Sequence, residues 1–308
     1  MIGLLFSGQG SQQTGMTQDL YDQVPRYRQV IDQAADILGF DLPGVLFDPA
    51  KAAALNETKY CQPAILAVSY GLYQLLVDYL PPAKFGIGLS LGEYSALAAS
   101  NELTFADALR LIKKRGELMQ QASEQTPSKM VAIIKADLAD VQLACQAAEN
   151  SGAIGVANVN TPHQIVIGGE IAAVDAATKQ LQASGAKVLP LQVSGAFHTP
   201  LMQPAQAELK KELAKVTWTR GAFPVYSTTT QAEFVPEIMV DNLTNQLIST
   251  TYFAKTLTEH LAKLDAVIEV GPGKTLISFA RKIKRQLPTY RVDSYHALQA
   301  TIAFLEAS

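Results

Sequence analysis

Three residues suited to nucleophilic or proton-transfer chemistry stand beside glycines in this chain. Ser90 lies inside Gly88-Leu89-Ser90-Leu91-Gly92, His198 follows Gly195-Ala196-Phe197, and Gln9 sits between Gly8 and Gly10. The serine pentapeptide satisfies Gly-x-Ser-x-Gly, the nucleophile elbow, a tight strand-to-helix turn that holds a hydroxyl clear of a sheet. Its glycines answer a steric need, because a Cβ would clash where backbone segments meet so closely, and glycine adopts positive φ most readily. A serine there meets a helix N-terminus, whose unpaired N–H groups and dipole favour developing negative charge. The same five residues also serve an ordinary strand-to-helix turn. Gln9 could offer its side-chain amide to a ligand, or belong to a plain polar loop.

Of the four histidines, His260 ends a polar helix pattern and His296 lies near the C-terminus, so both read as surface residues, while His163 falls in a different lobe. His198 alone lies in a junction of small residues. By type it reads as structural until a nucleophile is found for it. Arg115 closes Lys113-Lys114-Arg115 on a helical pattern, which by pattern alone is a solvated basic face.

The elements that must position these groups alternate between strand and helix. Ile2 to Phe6, Phe85 to Leu89 and Ala266 to Val270 are apolar runs suited to strands buried on both faces of a parallel sheet. Helical patterns cover Pro25 to Leu38, Gln62 to Tyr79, a stretch from an N-cap at Thr104 through Met119, and Asp241 to Leu247. Gly8-Gln9-Gly10 falls just after a buried strand, where open α/β sheets bind ligands. Gly271-Pro272-Gly273-Lys274-Thr275 lacks P-loop spacing and reads as a strand-to-helix turn. A basic cluster, Arg281-Lys282 with Lys284-Arg285, is expected on the last long helix.

Between residues 128 and 193 the rhythm changes. Strands at Met130 to Ile134, Ile154 to Asn158, Gln164 to Ile167 and Val188 to Val193, with helices at Leu138 to Ala148 and Ile171 to Ala183, give β-α-β-β-α-β, the order of a ferredoxin-like unit. The expected fold class is therefore α/β, with a hydrolase-like parallel-sheet domain discontinuous over 1–127 and 194–308 and a ferredoxin-like subdomain inserted over 128–193.

Composition narrows the function classes. The chain has 308 residues, 48% hydrophobic and 17% charged, with a net charge of −3 and no extended basic stripe, which argues against a general nucleic-acid binder. Cys61 and Cys145 lie in apolar helical patterns without Cys-x-x-Cys spacing and read as buried reduced thiols rather than metal ligands or a disulfide. No run approaches the ~18 apolar residues of a membrane span, so a soluble cytoplasmic protein is expected.

Taken in order, Gly8-Gln9-Gly10-Ser11-Gln12, Gly88-Leu89-Ser90-Leu91-Gly92-Glu93, Arg115 with Met119-Gln120, Gly195-Ala196-Phe197-His198 and Gly271-Pro272-Gly273 form one series. Over essentially the whole chain it resembles the malonyl-CoA:acyl carrier protein transacylases of fatty acid synthesis and the related acyltransferase domains of polyketide synthases. The resemblance implies Ser90 as the acyl-carrying nucleophile and His198 as its base, oriented by a main-chain carbonyl near the position of Gln246. It implies an oxyanion hole from the backbone N–H groups of Gln9 and Leu91, and Arg115 as the partner of the malonyl carboxylate. Phe197, before the histidine, goes with malonyl rather than methylmalonyl, and Asn158 and Asn160 are supporting contacts beside the cleft. The implied partners are malonyl-CoA, a coenzyme A thioester used as substrate, and an acidic acyl carrier protein, with no metal and no tightly bound cofactor. Lys282, Lys284 and Arg285, or Lys113 and Lys114, are the candidate docking residues.

The chain departs from the family pattern at Leu89, commonly histidine, at Ser7, commonly proline, and at Ser249-Thr250-Thr251-Tyr252-Phe253 in place of Ser-Pro-Val-x-Trp. Service in a polyketide or malonate decarboxylase system, hydrolysis of acyl thioesters by the same serine and histidine, and a non-catalytic carrier-binding scaffold remain the alternative readings, the last disfavoured because Ser90 and His198 are both present.

Overall fold

Apolar runs and the two-residue period of strands divide the chain between two sheets. In chain order the strands are β1 (Ile2–Phe6), β2 (Phe85–Gly88), β3 (Ser128–Ile134), β4 (Ile154–Thr161), β5 (Gln164–Glu170), β6 (Lys187–Pro190), β7 (Val225–Tyr226), β8 (Ala266–Val270) and β9 (Thr289–Arg291). They belong to a computed structural model that describes residues 1–262 and 264–307. The first sheet runs β7-β2-β1-β8-β9 with every neighbour parallel. Its central strands β1, β2 and β8 are buried throughout. Leu4 and Phe6 point into one core and Leu5 into another, as a parallel sheet covered on both faces requires.

The second sheet is antiparallel, with order β4-β5-β3-β6. Together with helices Leu138–Ala148 and Ile171–Ala183 it is the ferredoxin-like arrangement. Its strands divide their side chains by period. Val131, Ile133, Ile165 and Ile167 pack under the two helices, whereas Met130, Ala132 and Val166 join the main core. The small sheet is thus covered on both faces, by its own helices and by the larger lobe.

A seam of hydrogen bonds joins the lobes. Val159 N–H donates to the Thr251 carbonyl (2.7 Å) and Thr251 N–H to that of Ala157 (2.9 Å). Asn158 Nδ2 donates to Thr251 Oγ1 (2.7 Å), and Thr250 Oγ1 donates to the Val156 carbonyl (2.7 Å).

Several expectations needed correction. The strand expected at Val188 to Val193 ends at Pro190; one more ladder bond runs from Leu191 N–H to the Met130 carbonyl (3.0 Å), and Leu191 and Val193 line the cleft. The helix expected from Gln62 to Tyr79 spans Thr58–Leu76, and the one capped by Thr104 continues to Gln125. Arg281 and Lys282 end helix Thr275–Ile283, Lys284 and Arg285 lie beyond it, and the last helix is Tyr295–Ala307. His260 is not a surface residue: it is half-buried with its ring 3.8 Å from that of Tyr226, and burial lowers its pKa. His163 and His296 are exposed, and Cys61 and Cys145 are buried free thiols. No described helix is long and apolar enough to cross a membrane.

Candidate active site

The turn after β2 is as tight as its glycines imply. A Cβ on Gly88 would lie 1.9 Å from the Gly92 carbonyl carbon, and one on Gly92 would lie 2.2 Å from the Phe6 carbonyl oxygen. The positive φ falls on neither glycine but on Ser90, at 57°, where helix Leu91–Ala99 begins. A non-glycine residue held there is strained, and such strain persists only where the surroundings enforce it.

His198 also has positive φ, 59°, and reaches the serine from a later segment of the same lobe. Its Nδ1–H donates to the Gln246 carbonyl (2.8 Å). Because a carbonyl only accepts, this assigns the proton to Nδ1 and leaves Nε2 as the acceptor for Ser90 Oγ–H, at 2.8 Å. The ring is 4% exposed. Burial, and after it the Arg115 charge, push its pKa down to about 4 against the raising effect of its hydrogen bonds to the backbone at Gln246 and Ser249.

Arg115 is fully buried on helix Phe105–Gln125, so the solvated-face reading of its pattern does not hold for it. Nη1 donates to Gln62 Oε1 (2.7 Å), and Nη2 to both Ser90 Oγ (3.0 Å) and Gln246 Oε1 (2.9 Å). Its guanidinium carbon lies 5.4 Å from the Tyr94 ring centroid, within cation–π range. Gln246 Nε2 donates to the Ser90 carbonyl (3.0 Å) and to Glu93 Oε2 (2.5 Å). Glu93 Oε1 accepts from Thr228 N–H (2.6 Å) and Thr228 Oγ1 (2.7 Å).

A cavity of about 220 Å³ opens beside Ser90 between the lobes. Ser90, His198, Gln9, Phe197, Asn158 and Asn160 all line it, together with Leu89. Asn160 Oδ1 is buried without a hydrogen-bond partner among the described residues. Leu91 is the first residue of its helix, so its N–H has no intrahelical acceptor, and Gln9 N–H donates to no described residue. The Gln9 side chain is engaged with Thr58 Oγ1 (3.3 Å) and Gln62 (3.4 Å), so the amide that the sequence offered to a ligand is held by the protein. Ser7 Oγ donates to Glu269 Oε1 (3.0 Å) and the Pro272 carbonyl (3.2 Å), which ties the Gln9 loop to the glycine turn after β8.

Of the candidate docking lysines, Lys113 donates to the Leu38 carbonyl (2.8 Å) and is committed internally. Lys282, Lys284 and Arg285 are exposed, on or just past the helix whose Thr275, Leu276 and Phe279 line the cavity. Among the described residues no cluster of three His, Cys, Asp or Glu side chains could hold a metal.

The sequence reading gave Glu93, Gln62 and Thr228 no role. Ser90 followed three residues later by Glu93 fits the capping-box spacing, but the carboxylate turns inward to Gln246 and Thr228 rather than back to the Ser90 N–H.

The arrangement, a serine on a strained elbow with a neutral imidazole and a buried guanidinium on its oxygen, suits acyl transfer to and from Ser90. An acyl transferase domain model matches residues 4–296. The malonyl CoA-acyl carrier protein transacylase of Staphylococcus aureus (strain MRSA252) is 36% identical, covering 92% of each chain. That of Bacillus subtilis (strain 168) is 34% identical over 99% of this chain and 97% of its own. A crystal structure of MCAT from Streptococcus pneumoniae superposes with a TM-score of 0.93 at 40% identity, covering 99% of this chain and 100% of that one. A complex of a malonyl-transacylase with its type II PKS acyl-carrier protein superposes with a TM-score of 0.93 at 32% identity, covering 98% and 99%. The chain belongs to the acyl transferase domain family, among the malonyl CoA-acyl carrier protein transacylases.

Proposed function

We propose that the chain carries malonyl from malonyl-CoA to the phosphopantetheine thiol of an acyl carrier protein through a malonyl ester on Ser90, in cytoplasmic fatty acid synthesis. Ser90 Oγ attacks the thioester carbonyl while His198 Nε2 takes its proton. The C–S bond then breaks, and the proton passes to the departing coenzyme A thiolate. The carrier thiol repeats the sequence in reverse, giving its proton to His198 as it displaces Ser90. Backbone N–H groups of Leu91 and Gln9 stabilise the tetrahedral oxyanion. The steps balance without a metal or a redox group.

The observation that carries this reading is Arg115 Nη2 at 3.0 Å from Ser90 Oγ. A guanidinium offers a carboxylate two parallel charge-assisted hydrogen bonds, which an acetyl group cannot use. Phe197 narrows the cavity against the extra methyl of methylmalonyl, and Asn158 and Asn160 support the bound thioester. The lobes 1–127 with 194–308 and 128–193 act as the two walls of the cleft. Lys282, Lys284 and Arg285 receive the acidic carrier, and their charge reversal raises its KM.

Intact-protein mass after brief mixing with malonyl-CoA, acetyl-CoA or methylmalonyl-CoA, followed by an acyl carrier protein, tests the proposal. A malonyl adduct that needs Ser90, weakens by about a hundredfold in Arg115→Ala and moves to the carrier is expected, given what a charge-assisted bidentate pair contributes. An adduct lost to water whether or not the carrier is present overturns the transferase reading in favour of hydrolysis.

A further inference from the structure

Glu93 is fully buried in the first turn behind the serine, yet no step of acyl transfer uses it. We propose that Glu93 is a positioning residue that fixes which way the Gln246 side-chain amide faces, and thereby gives Arg115 an acceptor instead of a competing donor.

An ionised carboxylate only accepts hydrogen bonds. Both Thr228 donors, at 2.6 and 2.7 Å, occupy Oε1, so the partner of Oε2 must donate as well. That partner is the Gln246 side chain at 2.5 Å, which therefore turns its NH2 toward Glu93. In the same orientation Nε2 donates to the Ser90 carbonyl, and Oε1 is left facing Arg115 Nη2 at 2.9 Å. Flipping the amide would set its NH2 against the guanidinium and its oxygen against both the carboxylate and the Ser90 carbonyl. All three contacts would then join like polarities in a site closed to water, where an unmatched polar group costs most.

The bond that orients His198 uses the Gln246 main-chain carbonyl, which a turn of the side-chain amide leaves in place, so the effect of Glu93 falls on the guanidinium contact. A glutamine at position 93 reverses this logic. Its oxygen would face the Thr228 donors and its NH2 would face Gln246, forcing one of the mismatches above. The inference rests on Arg115 as the partner of the malonyl carboxylate.

Ser90 loading from malonyl-CoA and from acetyl-CoA is measured at pH 8, above the value of about 7 to which burial raises Glu93. Wild type is compared with Glu93→Gln, Thr228→Val and Arg115→Ala. In Glu93→Gln the malonyl-to-acetyl ratio of kcat/KM is expected to fall about tenfold, mainly through the malonyl KM, with acetyl loading little changed. Thr228→Val keeps the carboxylate and should hold the ratio within about twofold of wild type. An unchanged ratio in Glu93→Gln where Arg115→Ala collapses it overturns the positioning role alone. An unchanged ratio in both removes the Arg115 reading beneath it, and an equal loss with both substrates makes Glu93 a packing residue. Should Glu93→Gln fail to fold, exchange of the Gln246 side-chain amide protons in the wild type, followed by NMR, decides. Slow exchange is expected of a buried donor held by a carboxylate, and exchange as fast as that of exposed glutamines overturns the proposal.

Discussion

His198 would ordinarily titrate near 6.5, but burial and the neighbouring Arg115 charge hold it near 4. With its folded-state value depressed, the imidazole stays neutral, and so able to accept the Ser90 proton, at every pH above about 4. The stability that comes from burying the neutral ring is complete above 6.5 and is lost as pH falls through about 4. The rate at which a small neutral phosphonate modifies Ser90 should therefore show no inflection at 6.5 and should decline only near pH 4. The comparison is best repeated in Glu93→Gln, which removes the neighbouring carboxylate that burial raises to about 7. A fall centred on 6.5 in both proteins would mean that the imidazole is solvated when it acts.

At the scale of single elements, the elbow is the least forgiving part of the chain. Gly88→Ala forces a methyl onto backbone atoms of Gly92 and Glu93 that belong to the same turn and cannot move apart without displacing Ser90. The expected cost is about 3 kcal/mol, a Tm lower by about 5 °C, with serine loading abolished. Gly155→Ala in β4, where an added Cβ meets nothing within 4 Å, should leave both unchanged, and calorimetry with the mass assay checks the pair. Elements with a continuous apolar run or a clean period were legible in the sequence with their bounds. Pro25–Leu38, Leu138–Ala148, Ile171–Ala183 and Ala266–Val270 are of this kind. Ends were less legible where an apolar residue had a second use, as Leu191 and Val193 have in the cleft. The same distinction applies to the site. Ser90, His198 and Gln9 are marked by glycines next to them, whereas Glu93 meets Thr228 across 135 positions and Arg115 meets Gln62 across 53. Partnerships that form only on folding leave no local trace in the chain.

Beside the core they share, the two lobes are joined by hydrogen bonds next to the cleft. Thr251 pairs with β4 through its backbone and accepts from Asn158, and Thr250 adds one more side-chain bond to the same strand. In the proposed reaction the small lobe is the wall along which the pantetheine arm lies, while Ser90 and His198 both remain on the larger lobe. A change at the seam should therefore separate two kinds of reaction. Thr250→Val with Thr251→Val removes two hydroxyls of nearly unchanged shape and leaves the Asn158 amide without its partner. At about 1 kcal/mol per hydrogen bond lost, roughly 2 kcal/mol of lobe contact disappears. Transfer to the carrier protein should fall by about tenfold, and the Val159 and Thr251 amides should exchange faster with deuterium. Modification of Ser90 by a small phosphonate, which needs the elbow and His198 but not the opposite wall, should keep its wild-type rate. If both reactions slow together, the seam supports the serine and histidine themselves, and the small lobe is part of the catalytic framework rather than the wall that receives the pantetheine arm.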